Sequence, residues 1–277
     1  MNMILDGKKI RDIILDEVRE EVLKLEKKLK LVVIYIGNDN SSDIYIKQKK
    51  MMCDYIGYDF ELIRLDDDVT NEDVISLIDS LNKDFSVTGI IVQLPLPVHM
   101  NVDKIINSIE SSKDVDGLTV INRGNLFNRD YGLVSCTALG IVELIHRYNI
   151  SLTSKNIVIV GRSNLVSKPL AMLLLNEDAN VTICHSKTKN LSEYTKKADI
   201  LIVAVGKTKF ITGDMLKTDS IVIDVGINNT DNGICGDVDF NSVKDKVKYI
   251  TPVPGGVGPM TVAMLAKNIL SAYKMQK

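Results

Sequence analysis

The sequence predicts an α/β fold in two domains, the second of Rossmann type. Three observations carry this. From Lys30 onward, apolar strand-like runs alternate with helical patterns, the signature of βαβ units on a mostly parallel sheet. Past a helix centred on Ala138 to Tyr148 a second βα series begins. In that series a glycine, Gly161, stands directly after a buried strand and ahead of a helix.

The elements follow in order. Leu31 to Gly37 (LVVIYIG) is the first clear strand. A helix starts near Ser41 or Ser42, which are good N-cap types, and runs to the stop at Gly57. Phe60 to Leu65 is a second strand, Asn71 to Asn82 a second helix, and VTGIIVQLPLP a third strand that must end at Pro95 and Pro97, because proline cannot donate to a ladder. A short helix around Val102 to Ile109 leads into the turn KDVDG, then a loop-like stretch through Asn122, Gly124 and Asn125. The helix from Ala138 has apolar residues at Leu139, Val142 and Ile145. The second series reads NIVIV, a helix over LVSKPLAMLLL, NVTIC, ADILIVAV, SIVIDVG and YITPV, and a helix from Thr261 to Lys277 closes it. The expected division is residues 1–137 with the helix 260–277 packed back on them, and residues 138–259.

Length and composition bound the function. The chain has 277 residues, 45% apolar and 25% charged, ordinary for a globular protein. A formal net charge of −2 gives no electrostatic footprint for a nucleic acid. The lysines of the first fifty residues alternate with acids and read as a solvated helix face. Cys53, Cys136, Cys184 and Cys235 are scattered without a C-x-x-C pair, so neither a zinc site nor a redox dithiol is expected, and no metal. The first residues lack the pattern of a signal peptide, and no apolar run approaches the roughly 18 residues that span a bilayer. A reduced, cytoplasmic setting without membrane partners is expected.

Gly161 stands where phosphates bind, since backbone N–H groups and the positive end of a helix dipole meet there, but a single glycine in such a turn more often serves geometry alone. The three-glycine fingerprint is reduced to this one glycine, with Ser163 and Ser167 at or near the other small positions. At the end of the next strand, where an NAD enzyme commonly places an acid for the ribose diol, this chain has His185, Ser186, Lys187 and Thr188, and Arg162 lies in the turn itself. A 2′-phosphate suits that charge and a carboxylate would repel it, so NADP is the expected cofactor.

In the first half Ser42, Tyr45 and Lys49 stand at i, i+3 and i+7 on one helical face. A tyrosine beside a lysine can polarise a proton, and burial lowers a lysine's pKa. The spacing alone is common on amphipathic helices. Gln93, at the end of a buried strand, and Asp116, in KDVDG, can converge on it; each is also what a strand cap or an ordinary turn would supply. All six prolines fall at strand ends or helix starts, three of them around PVPGGVGP, whose glycines let backbone approach a flat ligand.

SSDIYIKQK, VQLPLP, KDVDG, IVGRSNLVSKP, CHSKT, DVGIN, GDVDF and TPVPGGVGPMTVAML together resemble the bifunctional methylenetetrahydrofolate dehydrogenase/methenyltetrahydrofolate cyclohydrolase family, in order and over nearly the whole chain. The resemblance implies an N-terminal catalytic domain binding folate, a C-terminal domain binding NADP, a cleft between them, and a homodimer. It implies Lys49 as the key residue of the cyclohydrolase step, Tyr45 orienting the folate ring, Gln93 tuning Lys49 and Asp116 anchoring the pterin. Ser42 joins the folate contacts, Pro254, Gly255 and Gly258 line the folate side, and Gly161, Arg162, Ser163, Ser186 and Ile227 contact NADP. The implied chemistry is hydride transfer from 5,10-methylenetetrahydrofolate to NADP, then hydrolysis of the methenyl product to 10-formyltetrahydrofolate, within purine biosynthesis.

The chain departs from the family at Ser167, where glycine is usual, and at Ser135 and Ala138, which replace prolines around CT. A monofunctional member of the family remains open, as does a shikimate-dehydrogenase-like NADP oxidoreductase, which shares the domain order but would not need PGGVGPMT. A short-chain dehydrogenase is disfavoured by order, since its glycine turn precedes the tyrosine. A non-catalytic nucleotide sensor leaves Lys49, Gln93 and Asp116 without a task.

Overall fold

The computed structural model describes residues 3–38, 40–231 and 233–277, the side chains of 40–42 apart. In chain order the elements are β1 (Met3–Ile4), α1 (Gly7–Val22), β2 (Lys30–Ile36), α2 (Asn40–Ile56), β3 (Asp59–Leu65), α3 (Asn71–Lys83), β4 (Gly89–Val92), α4 (Val102–Ile106), α5 (Val120–Asn128) and α6 (Cys136–Arg147). They continue as β5 (Asn156–Val160), α7 (Ser167–Asn176), β6 (Asn180–Cys184), α8 (Leu191–Thr195), β7 (Ile200–Val203), β8 (Ile221–Asp224), β9 (Asn228–Thr230), β10 (Gly233–Cys235), α9 (Phe240–Val243), β11 (Tyr249–Ile250) and α10 (Val257–Met275). No described helix is long and apolar enough to cross a membrane.

Two compact units result: Ile13–Cys136 with Val262–Lys277, here the first unit, and Thr137–Thr261 with the residues through Asp12, the second. The expected division had the N-terminus in the first unit. It joins the second because β1 pairs in parallel with β11, Met3 opposite Tyr249 and Ile4 opposite Ile250.

In the first unit β2 lies between β3 and β4 in a three-stranded parallel sheet. Its run LVVIYI is buried throughout, as a strand covered on both faces must be. α3 packs Val74, Ile78 and Leu81 into the core, one stripe at helical spacing. A capping box starts it: Thr70 Oγ1 accepts from Asp73 N at 3.2 Å and the Asp73 carboxylate accepts from Thr70 N. α10 from Val262 onward belongs to the same unit, with Tyr58 donating to Ala266 O at 3.1 Å.

The stretch through Asn122, Gly124 and Asn125, expected as a loop, is instead the helix α5. Thr119 caps it, accepting from Asn122 N at 3.3 Å, and Arg129 ends it in the left-handed region at φ 61°. Asn122, a poor helix former by propensity, is buried and fully employed. Its Nδ2 donates to Ser111 O and Asp114 Oδ2 at 2.9 Å each, and its Oδ1 accepts from Leu133 N at 3.2 Å. Tertiary hydrogen bonds override propensity there. α10 begins at Val257, earlier than the expected Thr261, because Pro259 sits in the first turn, where a missing N–H costs nothing. The hairpin β9–β10 and the strand β1 were not legible in the sequence pattern.

The second unit's main sheet runs β1-β11-β8-β7-β5-β6, all parallel. From β5 the chain moves to one side for β6 and returns to the other for β7, so the order reverses between β5 and β7. In an open α/β sheet that reversal makes a crevice at the strands' carboxyl ends. Gly161 follows β5 there and Ala204 follows β7.

Candidate active and cofactor sites

Lys49 projects from α2, and its Nζ donates to Gln93 Oε1 at 2.9 Å. Gln93 stands just past β4, before the cis peptide Leu94–Pro95. Its Nε2 donates to Leu94 O at 2.8 Å. A carbonyl only accepts, so the amide nitrogen is committed to it and the amide oxygen is left facing Lys49. Burial lowers the pKa of Lys49, while Asp116 is close enough to raise it. Tyr45, one turn earlier on α2, is 44% exposed. Ser42, expected on the same face, has its side chain outside the described residues, as do the caps proposed at Ser41 and Ser42.

The structure separates the charged residues of KDVDG by task. Lys113 is buried and its Nζ donates to Leu81 O at 2.9 Å and Asp84 O at 2.7 Å, closing the end of α3. The buried Asp114 carboxylate accepts from Thr119 N at 2.8 Å and from Asn122, which fixes the start of α5. Asp116 alone is left half-buried beside Lys49 and the thiol of Cys136. Burial, with Asp116 next, pushes the Cys136 thiol well above its usual pKa, and burial pushes Cys53 up to about 12. Both are protonated at neutral pH.

Asn268 of α10, which the sequence reading missed, holds this corner. Its Nδ2 lies 2.9 Å from both Val115 O and Val134 O and 3.4 Å from Cys136 Sγ. It links the Asp116 turn to the segment leading into α6. A lone asparagine amid the apolar stripe of the last helix is the only signal that could have found it.

In the second unit Gly161 takes φ 137°, and a Cβ there would lie 2.3 Å from Ala204 O, so only glycine fits. Ser163 Oγ accepts from Val166 N at 3.1 Å and Ser167 N at 3.3 Å, capping α7. Arg162 and Ser163 are exposed in the turn, and Ser186 and Lys187 are exposed beyond β6. Thr188 Oγ1 accepts from His185 N at 2.9 Å, which shapes that second loop. Ile227 is 48% exposed, and a Cβ on Gly258 would stand 3.7 Å from its Cδ1. Pro254, after a cis peptide, Gly255 and Gly258 thus belong to the same unit as Gly161 and Ile227.

Asp224 of DVGIN and Asp237 of GDVDF are structural. Asp237, fully buried, accepts from Val205 N at 2.6 Å, Gly206 N at 3.0 Å, Lys207 N at 2.8 Å and Asn228 Nδ2 at 2.9 Å. Asp224 accepts from Gly226 N and Asp237 N at 3.0 Å each and from Val238 N at 2.9 Å, and burial pushes it up to about 6. Together they pin the loops after β7 and β8 at the carboxyl edge of the sheet. Among the described residues no cluster of His, Cys, Asp or Glu could hold a metal ion.

With this geometry in hand, the comparisons give the chain its relatives. A family model described as tetrahydrofolate dehydrogenase/cyclohydrolase, catalytic domain, matches residues 5–116. Its companion, the NAD(P)-binding domain, matches residues 135–277. The chain is 48% identical to the bifunctional protein FolD of Agathobacter rectalis, covering 99% of this chain and 100% of that one. The solved bifunctional enzyme FolD, methylenetetrahydrofolate dehydrogenase/cyclohydrolase, from Campylobacter jejuni matches at TM-score 0.98 and 45% identity over the whole of both chains. The Trypanosoma brucei methylenetetrahydrofolate dehydrogenase-cyclohydrolase, complexed with NADP cofactor and inhibitor, matches at TM-score 0.94 and 33% identity, covering 99% and 98%.

Proposed function

The chain belongs to the tetrahydrofolate dehydrogenase/cyclohydrolase family, and from that premise we propose that it oxidises 5,10-methylenetetrahydrofolate to 5,10-methenyltetrahydrofolate with NADP and hydrolyses the product to 10-formyltetrahydrofolate. The observation that carries the proposal is the contact of Lys49 Nζ with Gln93 Oε1 at 2.9 Å, with burial lowering the lysine's pKa. A neutral amine that gives one N–H to Gln93 keeps its lone pair for a proton from water. Lys49 therefore takes that proton as the water adds to the methenyl carbon, and ring opening gives the formyl product. Gln93 supports the neutral form without fixing it, since an amide oxygen accepts a hydrogen bond without bearing a full charge. Asp116 is proposed to receive the N–H groups of the pterin, and Tyr45, exposed one turn from Lys49, to orient the ring.

The second unit fits NADP on its own geometry. The Cβ-free Gly161 lets backbone close on a diphosphate at the sheet's switch point, and the exposed Arg162, Ser186 and Lys187 suit a 2′-phosphate. NADP, when bound, supplies the hydride acceptor, and the residues of this chain hold and orient it. The family models match both halves and the full-length relatives are named as bifunctional, so neither a shikimate-dehydrogenase-like enzyme nor a monofunctional member is favoured. A homodimeric state, a cytoplasmic location and a place in purine biosynthesis rest on the family resemblance and belong to the same proposal. A sedimentation mass equal to one chain would remove the first of them.

The test is a paired assay. Incubation with 5,10-methylenetetrahydrofolate and NADP should produce NADPH absorbance, and supplied methenyltetrahydrofolate should be hydrolysed. Lys49→Met should lower the hydrolysis by about 10²-fold or more and spare most of the NADPH signal. No NADPH from the wild-type chain with either NADP or NAD would defeat the dehydrogenase assignment.

A further inference from the structure

Past the carboxyl end of β11 the chain runs from Thr251 to Gly258 into α10. Thr251, Gly256 and Val257 are buried, while Pro254 and Gly258 are exposed. The N-terminal segment lies along the buried side. Leu5 N donates to Ile250 O at 2.9 Å, continuing the pairing of β1 with β11, and Lys8 N donates to Gly255 O at 3.1 Å. Between those two bonds stands Gly7, the buried first residue of α1. A Cβ built on it would lie 1.7 Å from Gly256 O and 3.2 Å from Gly255 O.

Gly7 is outside the left-handed region, so an added methyl group brings no backbone strain of its own. It acts only by driving the Gly256 carbonyl away. Gly256 has little room to yield. A Cβ on it would meet Pro252 O at 2.6 Å and Thr251 Cβ at 2.7 Å, and Thr251 Oγ1 is itself tied to Asp224 N at 2.7 Å. Displacement therefore passes outward, to the exposed Pro254 and Gly258.

The order of the sheet says which part of a dinucleotide this stretch meets. The phosphate turn follows β5, and Arg162 and Lys187 stand after β5 and β6, so the half bearing the 2′-phosphate belongs on that side. β11 lies beyond the reversal, next to β8. A dinucleotide laid across the reversal has its nicotinamide half on that far side.

Resting on the NADP reading above, we propose that Gly7 is a positioning residue for hydride transfer: by letting α1 begin against the Gly256 carbonyl, it holds the stretch from Thr251 to Gly258 in place at the nicotinamide end of the crevice. Gly7 acts through Gly256 alone.

Gly7→Ala in the full chain tests this. NADPH formation should fall about 10²-fold, the scale of an ångström-sized misplacement that starts away from the chemistry. Hydrolysis of supplied methenyltetrahydrofolate, which rests on Lys49 in the other unit, should keep its wild-type rate. Calorimetric titration should show NADP bound about tenfold more weakly, and adenosine 2′,5′-bisphosphate, which lacks the nicotinamide half, bound as by the wild type. Should Gly7→Ala not fold, Tyr148→Phe decides in its place. It adds no bulk and removes the acceptor of Asp6 N, 2.8 Å away, and it should give the same pattern to a smaller degree. Unchanged NADPH formation in the folded variant would overturn the proposal. Parallel loss of both activities, or equal weakening of both nucleotides, would overturn it too, as a sign of general destabilisation. A wild-type chain that binds the bisphosphate but forms no NADPH would instead bring down the functional reading itself.

Discussion

Lys49 is pulled in two directions, and its neighbours decide the balance. Burial favours the neutral amine, Asp116 favours the ammonium, and Gln93 presents a neutral oxygen at 2.9 Å that serves either form. Replacing that oxygen by a carboxylate would end the balance, since an opposite charge in contact holds a lysine protonated. Gln93→Glu is therefore expected to move the pH profile of methenyltetrahydrofolate hydrolysis upward by about one pH unit or more, with a lower rate at neutrality. The sign follows from the requirement for a free lone pair: a raised lysine pKa means that the neutral form appears only at higher pH. An unshifted profile with a lowered plateau would show that Gln93 acts on substrate placement and leaves the lysine's proton alone. The sequence brought Lys49, Gln93 and Asp116 into view, because motif order and strand ends mark them. The task of Asp114 in the same motif was not legible, because it depends on the Thr119 backbone that its carboxylate meets at 2.8 Å.

At the level of elements, the strands were legible because an apolar run buried on both faces leaves few other readings, and β2, β5, β7 and β8 are such runs. α5 was not, because its helix is specified by partners distant in sequence: Asn122 reads as a loop former until Asp114, Ser111 and Leu133 are placed around it. The same holds for α10, whose apolar stripe predicts a helix while its single most consequential polar residue, Asn268, gains meaning only from the carbonyls it meets. Asn268 is 4% exposed and its amide serves Val115 O and Val134 O. Truncation leaves buried acceptors without a donor, and such loss costs about 2–3 kcal/mol. Asn268→Ala should lower the urea midpoint accordingly at unchanged slope. It should also slow methenyltetrahydrofolate hydrolysis more than NADPH formation, because the loosened turn carries Asp116. Equal effects on both activities would mean that the residue serves stability alone.

Across the whole molecule, the chain passes between its two units three times, and each passage falls inside a helix: α1 after Asp12, α6 after Cys136 and α10 after Thr261. The family models divide the chain once, near the middle passage, at 5–116 and 135–277, whereas the packing divides it at all three. The first unit needs α10 from the far end of the chain, and the second needs β1 from the near end, where it completes the sheet beside β11. Residues 262–277 include Ala263, Met264, Leu265, Ala266, Ile269, Leu270 and Ala272, all buried. Removing them uncovers apolar surface at about 25 cal/mol per Å² and strips the Asp116 turn of Asn268. A chain cut between Cys136 and Thr137 should accordingly give an N-terminal piece, 1–136, that aggregates when expressed alone. Co-expression with 137–277 should restore soluble material, since the second piece brings α10 and receives β1 in return. Soluble yield and the cooperativity of unfolding followed by far-ultraviolet circular dichroism measure this directly. Cooperative unfolding of 1–136 by itself would show that the contacts of α10 are dispensable and that the division written in the family models is also the division of stability.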